Sequence, residues 1–162
     1  MTAGVRRTWA GTEALRVLIV DDNRDAADSL AMLVTHWGYD ARLAYGGAAA
    51  LESALAGPPH VVLLDIGMPR MDGFRLASLM RKQTRLAGAL LIAVTGYGDA
   101  AHRELWEAMF DIYLVKPVDP STVEQLLLRE KIRLAARSGG LGNNGCGPTV
   151  TDVALRYRAR SG

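Results

Sequence analysis

Four short stretches of the chain are apolar from end to end, at 17–20, 61–64, 89–94 and 112–115. Val, Ile and Leu dominate them, with no polar residue alternating among them. Unbroken runs of this length predict strands buried on both faces, as in a parallel sheet. A fifth, weaker strand is predicted at 41–45. Between the runs the pattern changes to helical spacing. Ala27, Leu30, Val34 and Trp37 share one face, and Gly38 follows as a helix stop. Residues 48–56 are alanine-rich and halt at Gly57 and two prolines. Residues 74–82 and 101–109 supply a third and fourth helix. The fifth opens at Asp119-Pro120, an N-cap followed by proline at the first helical position, and reaches Arg137. The "MPRMDG" segment before the third helix predicts a turn-rich loop in which Gly73 relieves backbone strain.

Five strands alternating with five helices predict an α/β fold, a doubly wound parallel sheet with right-handed crossovers. In such sheets the chemistry sits beyond the carboxyl ends of the strands. The 162 residues suit one domain. The expected organisation is an N-terminal tail over 1–14, a domain over 15–137, and a flexible glycine-rich tail over 138–162. The last 25 residues are too few for a typical DNA-binding module, so none is expected. Val153, Leu155 and Tyr157 alternate with polar or small residues, which would suit a short edge strand; disorder is the expectation.

Charge divides the chain. Between Arg16 and Leu128 there are 10 basic and 14 acidic residues, while the flanks hold 9 basic and 3 acidic. No basic run is dense enough to argue for nucleic acid or anionic lipid. The longest apolar runs are far too short to span a bilayer, and the N-terminus lacks the apolar segment of a secretory signal. The one cysteine, Cys146, excludes an internal disulfide. These features predict a soluble cytoplasmic protein with no membrane segment.

The strand ends carry the chemistry. "VLIVDDN" ends a predicted strand in Asp21 and Asp22, "VVLLDIGMPRMDG" ends one in Asp65, "VTGYG" ends one in Thr95, and "YLVKPVDP" ends one in Lys116. Adjacent carboxylates repel, and each resists ionising beside the other. Three carboxylates with no histidine or cysteine ligand suit a hard cation such as Mg2+, which would relieve that repulsion. A carboxylate with a metal, a lysine and a threonine around it suits phosphoryl transfer. Asp65 is then the nucleophile, because an aspartyl carboxylate can form an acyl phosphate. Taken alone, each piece has a plainer reading: Asp21 and Asp22 as helix-dipole acids, Thr95 as a turn cap, Lys116 as a solvated lysine.

Together the four motifs, in this order and spacing, resemble the receiver domain of two-component response regulators, over about Leu15 to Arg137. The resemblance implies a flavodoxin-like fold with strand order 2-1-3-4-5. It implies that Asp65 accepts a phosphoryl group from a sensor histidine kinase or a histidine phosphotransfer protein. By the same resemblance Asp21, Asp22, Asp65 and the carbonyl of Gly67 hold Mg2+. Thr95 is the switch hydroxyl, Lys116 the phosphate-binding lysine, Tyr113 the switch aromatic, and Lys116-Pro117 a cis peptide. The implied output is altered contact with a downstream protein through the face of the fourth helix, fifth strand and fifth helix.

Three residues bear on how far the resemblance carries. Met109 stands where many receivers have glycine; if that position requires positive φ, methionine there is strained and the turn rearranged. Gly67 has no side chain to shield an acyl phosphate, a task left to Tyr97. Gly67 also stands where an aspartyl-phosphate phosphatase carries a second aspartate, which argues against that enzyme class. The chain is expected to catalyse only its own phosphorylation and dephosphorylation. The competing readings are a phosphorylation-independent interaction domain on the same fold, and a receiver segment of a hybrid kinase acting as a phosphate shuttle. Leu128, Ile132 and Ala135 form a second apolar stripe on the last helix, which suits either a frayed amphipathic end, the plainer reading, or a homodimer contact. His36, His60 and His102 show no ligand spacing and are read as surface or helix-end residues, Met68 as loop packing, Trp37 as a core or semi-exposed helix-face residue, and Trp106 as core packing, with a partner contact at the output face as its alternative.

Overall fold

The computed structural model describes residues 14–68, 72–96 and 107–138. Every strand expected from an apolar run is present: β1 (Arg16–Val20), β2 (Asp40–Ala44), β3 (Val61–Asp65), β4 (Leu90–Thr95) and β5 (Ile112–Val115). All neighbouring pairs are parallel, in the order β2-β1-β3-β4-β5. This is the doubly wound, flavodoxin-like sheet that the motifs imply. β3 is buried at every position, which is why its sequence shows no alternation. β2 lies at the sheet edge and is only partly buried, which explains its weaker signal.

The helices are α1 (Arg24–His36), α2 (Gly47–Ala56), α3 (Gly73–Arg81) and α4 (Pro120–Ser138), with a 3-10 turn at Thr84–Leu86 that the apolar pattern did not predict. Of the helix expected over 101–109, residues 107–109 are helical and the rest lies outside the described residues. Gly38 sits at φ 85°, the left-handed conformation expected of a residue just past a helix end. At the start of α4, Asp119 accepts the Ser121 N–H through its side chain at 2.9 Å.

Two apolar layers cover the sheet. On one face, Val17, Ile19, Leu63 and Ile92 pack with Ala27 and Val34 of α1 and Val123, Leu126 and Leu127 of α4. On the other, Leu18, Val20, Leu64 and Leu91 pack with Ala54 of α2 and Leu76 and Met80 of α3. Met68 is buried in this second layer, and Trp37 is half-buried against the first, as expected of both.

Two expectations need correction. Gly73 does not serve a strained turn: it is the first residue of α3, and Asp72 caps that helix by accepting the Arg75 N–H at 2.7 Å. What it supplies is space, since a Cβ there would lie 2.6 Å from Ile66 Cδ1 and 3.0 Å from the Asp65 carbonyl. His60 is not a plain surface residue. It is half-buried, and its Nδ1 accepts the Arg16 N–H at 3.0 Å. His36 is exposed at the end of α1, as expected, and His102 lies outside the described residues.

Candidate functional site

β1 and β3 are neighbours in register, Val20 beside Leu64, so Asp21 and Asp65 leave the sheet at the same edge. Asp21, Asp22 and Asp65 each offer a carboxylate oxygen, and these oxygens lie within 4.8 Å of one another. Asp21 and Asp65 are buried and Asp22 is exposed. Asp22 is not a first-turn helix acid: α1 begins at Arg24, with Asn23 as its cap, and the acid of its first turn is Asp25.

Asn23 was not singled out by the sequence reading, although an asparagine before a helical pattern is a recognisable cap. Its side chain accepts the Ala26 N–H at 3.2 Å, and its own N–H donates to Asp21 Oδ1 at 2.9 Å. One residue thus starts α1 and orients the Asp21 carboxylate.

Lys116 follows β5, and its Nζ reaches between two carboxylates, 3.4 Å from Asp65 Oδ1 and 3.6 Å from Asp21 Oδ2. Its backbone N–H donates to the Thr95 carbonyl at 2.7 Å, tying the end of β5 to the end of β4. The Lys116-Pro117 bond is cis, as the motif implies. Gly67 donates its N–H to Asp65 Oδ1 at 3.2 Å. A Cβ at 67 would meet only that same oxygen, at 3.8 Å, so the position leaves the carboxylate open on this side. Burial raises the Asp21 carboxyl above its ordinary value, and the charges of Asp65 and Asp22 add to this; the Asn23 N–H and Lys116 oppose it. Among the described residues, the three carboxylates of the pocket face one ammonium, that of Lys116. That donor set, oxygen only and anionic, fits a hard divalent cation.

Thr95 is buried at the end of β4. Ala93 pairs with Tyr113 and Thr95 with Val115, so Thr95 and Tyr113 lie diagonally on one face of the sheet. Tyr113 is half-buried and packs against the layer that holds Ala93 and Phe110. Met109 closes the helical residues 107–109, packs against the same layer, and accepts Arg81 Nε at 3.1 Å through its carbonyl. Helical backbone accommodates methionine, so the strained turn envisaged for this position does not arise. Tyr97 and Trp106 lie outside the described residues.

The sequence model of the response regulator receiver domain matches residues 17–128. Among curated proteins, the chain is 32% identical over 154 residues to the transcriptional regulatory protein PrrA of Mycobacterium tuberculosis, covering 93% of this chain and 64% of that one. It is 30% identical over 147 residues to the signal transduction histidine-protein kinase BarA of Escherichia coli, covering 90% of this chain and 16% of the kinase. The chain thus spans under two thirds of such regulators and a small part of such a kinase. Among solved structures, chemotaxis response regulator CheY4 of Vibrio cholerae superposes with a TM-score of 0.67 at 28% identity, covering 74% of this chain and 99% of that one. The receiver domain of sensor histidine kinase PA1611 from Pseudomonas aeruginosa gives a TM-score of 0.67 at 25% identity, over 73% and 98%; that structure has a magnesium ion coordinated in its active site cleft. With the acidic pocket, the five-stranded order and the four motifs in one register, the chain belongs to the response regulator receiver domain family.

Proposed function

We propose that Asp65 is the phosphoacceptor of a two-component phosphorelay. Asp21, Asp22 and Asp65, with the Gly67 carbonyl, would hold Mg2+, and Lys116 and Thr95 would hold the phosphoryl oxygens. The observation that carries this reading is the set of three carboxylates within 4.8 Å of one another, with Lys116 Nζ 3.4 Å from Asp65. In the transfer, a carboxylate oxygen of Asp65 attacks phosphorus. The P–N bond of a phosphohistidine donor breaks, and its electron pair leaves with the imidazole. When bound, Mg2+ supplies charge neutralisation at the phosphoryl oxygens. Lys116 releases its contacts to Asp21 and Asp65 in favour of the new acceptor atoms.

The acyl phosphate adds a charge of about −1.5 to −2 at the sheet edge. Thr95 turns its hydroxyl toward it, and Tyr113, diagonal to Thr95, follows into the space released. The output surface is the helix ending at Met109, β5 and α4, and the partner there is a downstream protein. This is a two-state element biased by one modification. The donor is a sensor histidine kinase or phosphotransfer protein. The domain is assigned to 15–137, with a tail on either side. Among the described residues no helix is long and apolar enough to cross a membrane, and the cytoplasm is the proposed compartment. The exposed Leu128 and Ile132 favour a homodimer contact in addition.

Intact mass after incubation with acetyl phosphate tests the reading. One phosphoryl group is expected on the wild type with Mg2+, and none with chelator or on Asp65→Ala. A folded wild type that gains nothing would leave the phosphorylation-independent binding domain. Steady turnover of small phosphate esters would point instead to a phosphatase.

A further inference from the structure

Lys116 approaches the acidic pocket from β5, on one side of Asp65. A second cation, Arg24, lies two residues past Asp22, at the head of α1. The Asp21 N–H donates to the Ala44 carbonyl at 3.2 Å, so the next residue, Tyr45, leaves β2 beside the acidic loop. Arg24, the first residue of α1, follows the cap that orients Asp21. Its guanidinium carbon lies 4.3 Å from the centre of the Tyr45 ring. The Tyr45 hydroxyl donates to Asp28 Oδ1 at 2.6 Å, one turn along α1 from Arg24. The ring is therefore held at its far end while the guanidinium rests on its face.

Helix stability does not explain this arrangement. A positive charge in the first turn opposes the helix dipole, and the cap and Asp25 already serve that end. Stacking occupies the face of the guanidinium and leaves its in-plane N–H groups free to meet an anion. Among the described residues the pocket carries three carboxylates against one ammonium, and the donor that must enter it brings a further anion. A cation fixed two residues past Asp22 lowers that repulsion before contact is made.

We propose that Arg24, held on Tyr45, is a positioning residue that recruits the phosphoryl group of an incoming donor to Asp65. This rests on the reading of Asp65 as phosphoacceptor. The chemistry recognised is the phosphoryl anion itself, on a small acyl phosphate or on a protein phosphohistidine. With acetyl phosphate, a carboxylate oxygen of Asp65 bonds to phosphorus, the phosphorus–oxygen bond to the acetyl group breaks, and acetate leaves with the electron pair.

The test is the second-order rate constant for phosphorylation by acetyl phosphate in Mg2+, at low and high ionic strength. Wild type is compared with Arg24→Ala, Arg24→Lys and Tyr45→Leu, and Asp65→Asn is the blank. At low salt Arg24→Ala is expected to be slower by roughly tenfold, the lower end of the range for steering in a charged cleft. The gap closes at high salt as screening removes the attraction. Arg24→Lys recovers most of the rate, and Tyr45→Leu, which frees the guanidinium, falls between. Phosphoramidate, a less highly charged donor, shows a smaller gap, and a phosphorylated histidine phosphotransfer domain in place of acetyl phosphate shows whether a protein donor uses the same cation. Equal rates and salt slopes for wild type and Arg24→Ala overturn the proposal while leaving Asp65 as acceptor. A loss that persists at high salt and is not recovered by lysine overturns it in favour of a structural role. A folded wild type that takes no phosphoryl group overturns the Asp65 reading and this proposal with it.

Discussion

A methyl group on residue 73 would lie 2.6 Å from Ile66 Cδ1, 2.9 Å from Ile66 Cα and 3.0 Å from the Asp65 carbonyl. The side-chain contact can be relieved by rotation; the two backbone contacts cannot. Gly73→Ala must push α3 away from the end of β3, and Asp65 sits on that end. Overpacking of this kind costs about 1–3 kcal/mol. The variant is expected to unfold at lower urea and, where still folded, to be phosphorylated more slowly; an unchanged urea midpoint would show that the loop yields. Lys116 separates two roles in the opposite way. Removing its ammonium takes a positive charge 3.4 Å and 3.6 Å from two of the carboxylates. Lys116→Ala is therefore expected to bind Mg2+ at least as tightly as wild type, by titration, while its phosphorylation by acetyl phosphate slows by at least about tenfold, the scale of one lost charge-assisted hydrogen bond to the phosphoryl group. Parallel losses of both would mean that Lys116 holds the pocket together instead. The pocket itself was legible because its acids, hydroxyl and amine each end a predicted strand. The need for glycine at 73 was legible only as a turn signal, because close approach between β3 and α3 is a property of the packed pair.

At the level of elements, apolar runs without alternation announced the sheet, since strands such as β3 have no solvent face to mark with polar residues. The edge strand was fainter for the converse reason, and it also carries Arg42, buried beneath α2 with Nη1 3.4 Å from the Ser53 carbonyl. Nothing in the pattern marked His60. It stands just before β3, and its Nδ1 accepts the N–H of Arg16, the first residue of β1. Burial lowers its pKa below the ordinary 6.5, Arg16 lowers it further, and Glu130 of α4 acts the other way. A depressed folded value means that the unfolded chain binds the proton more tightly. The stability tied to this group is whole above pH 6.5 and declines as pH falls from there to the folded value. His60→Asn keeps an acceptor for the Arg16 N–H and removes the titration. Urea midpoints between pH 8 and 5.5 should fall with acid in wild type and fall less in the variant. Parallel curves would assign the acid sensitivity elsewhere.

At the scale of the molecule, one element runs past the family match. The family match ends at 128, and α4 continues to Ser138. Its inner side is accounted for. Val123, Leu126 and Leu127 pack on the sheet, Leu134 packs partly, and Lys131 Nζ lies 5.7 Å from the centre of the Tyr39 ring. Glu130 is buried with both carboxylate oxygens on Arg133. The outer side exposes Leu128 by 49% and Ile132 by 59%, four residues apart on one face. Set as successive seam positions, leucine and isoleucine in this arrangement favour two parallel strands, and the flanking positions then bring Glu124 of one copy to Arg129 of the other. The occupant that this face fits is a second copy of the chain. Two large side chains per copy make a small seam, so the dimer should be weak and concentration-dependent. Sedimentation of the full chain is expected to show self-association that rises with concentration. Leu128→Glu with Ile132→Glu should remain monomeric with an unchanged circular dichroism spectrum. A wild type that stays monomeric throughout, phosphorylated or not, would leave the stripe as surface, and the output would then be read by contact with a different protein alone.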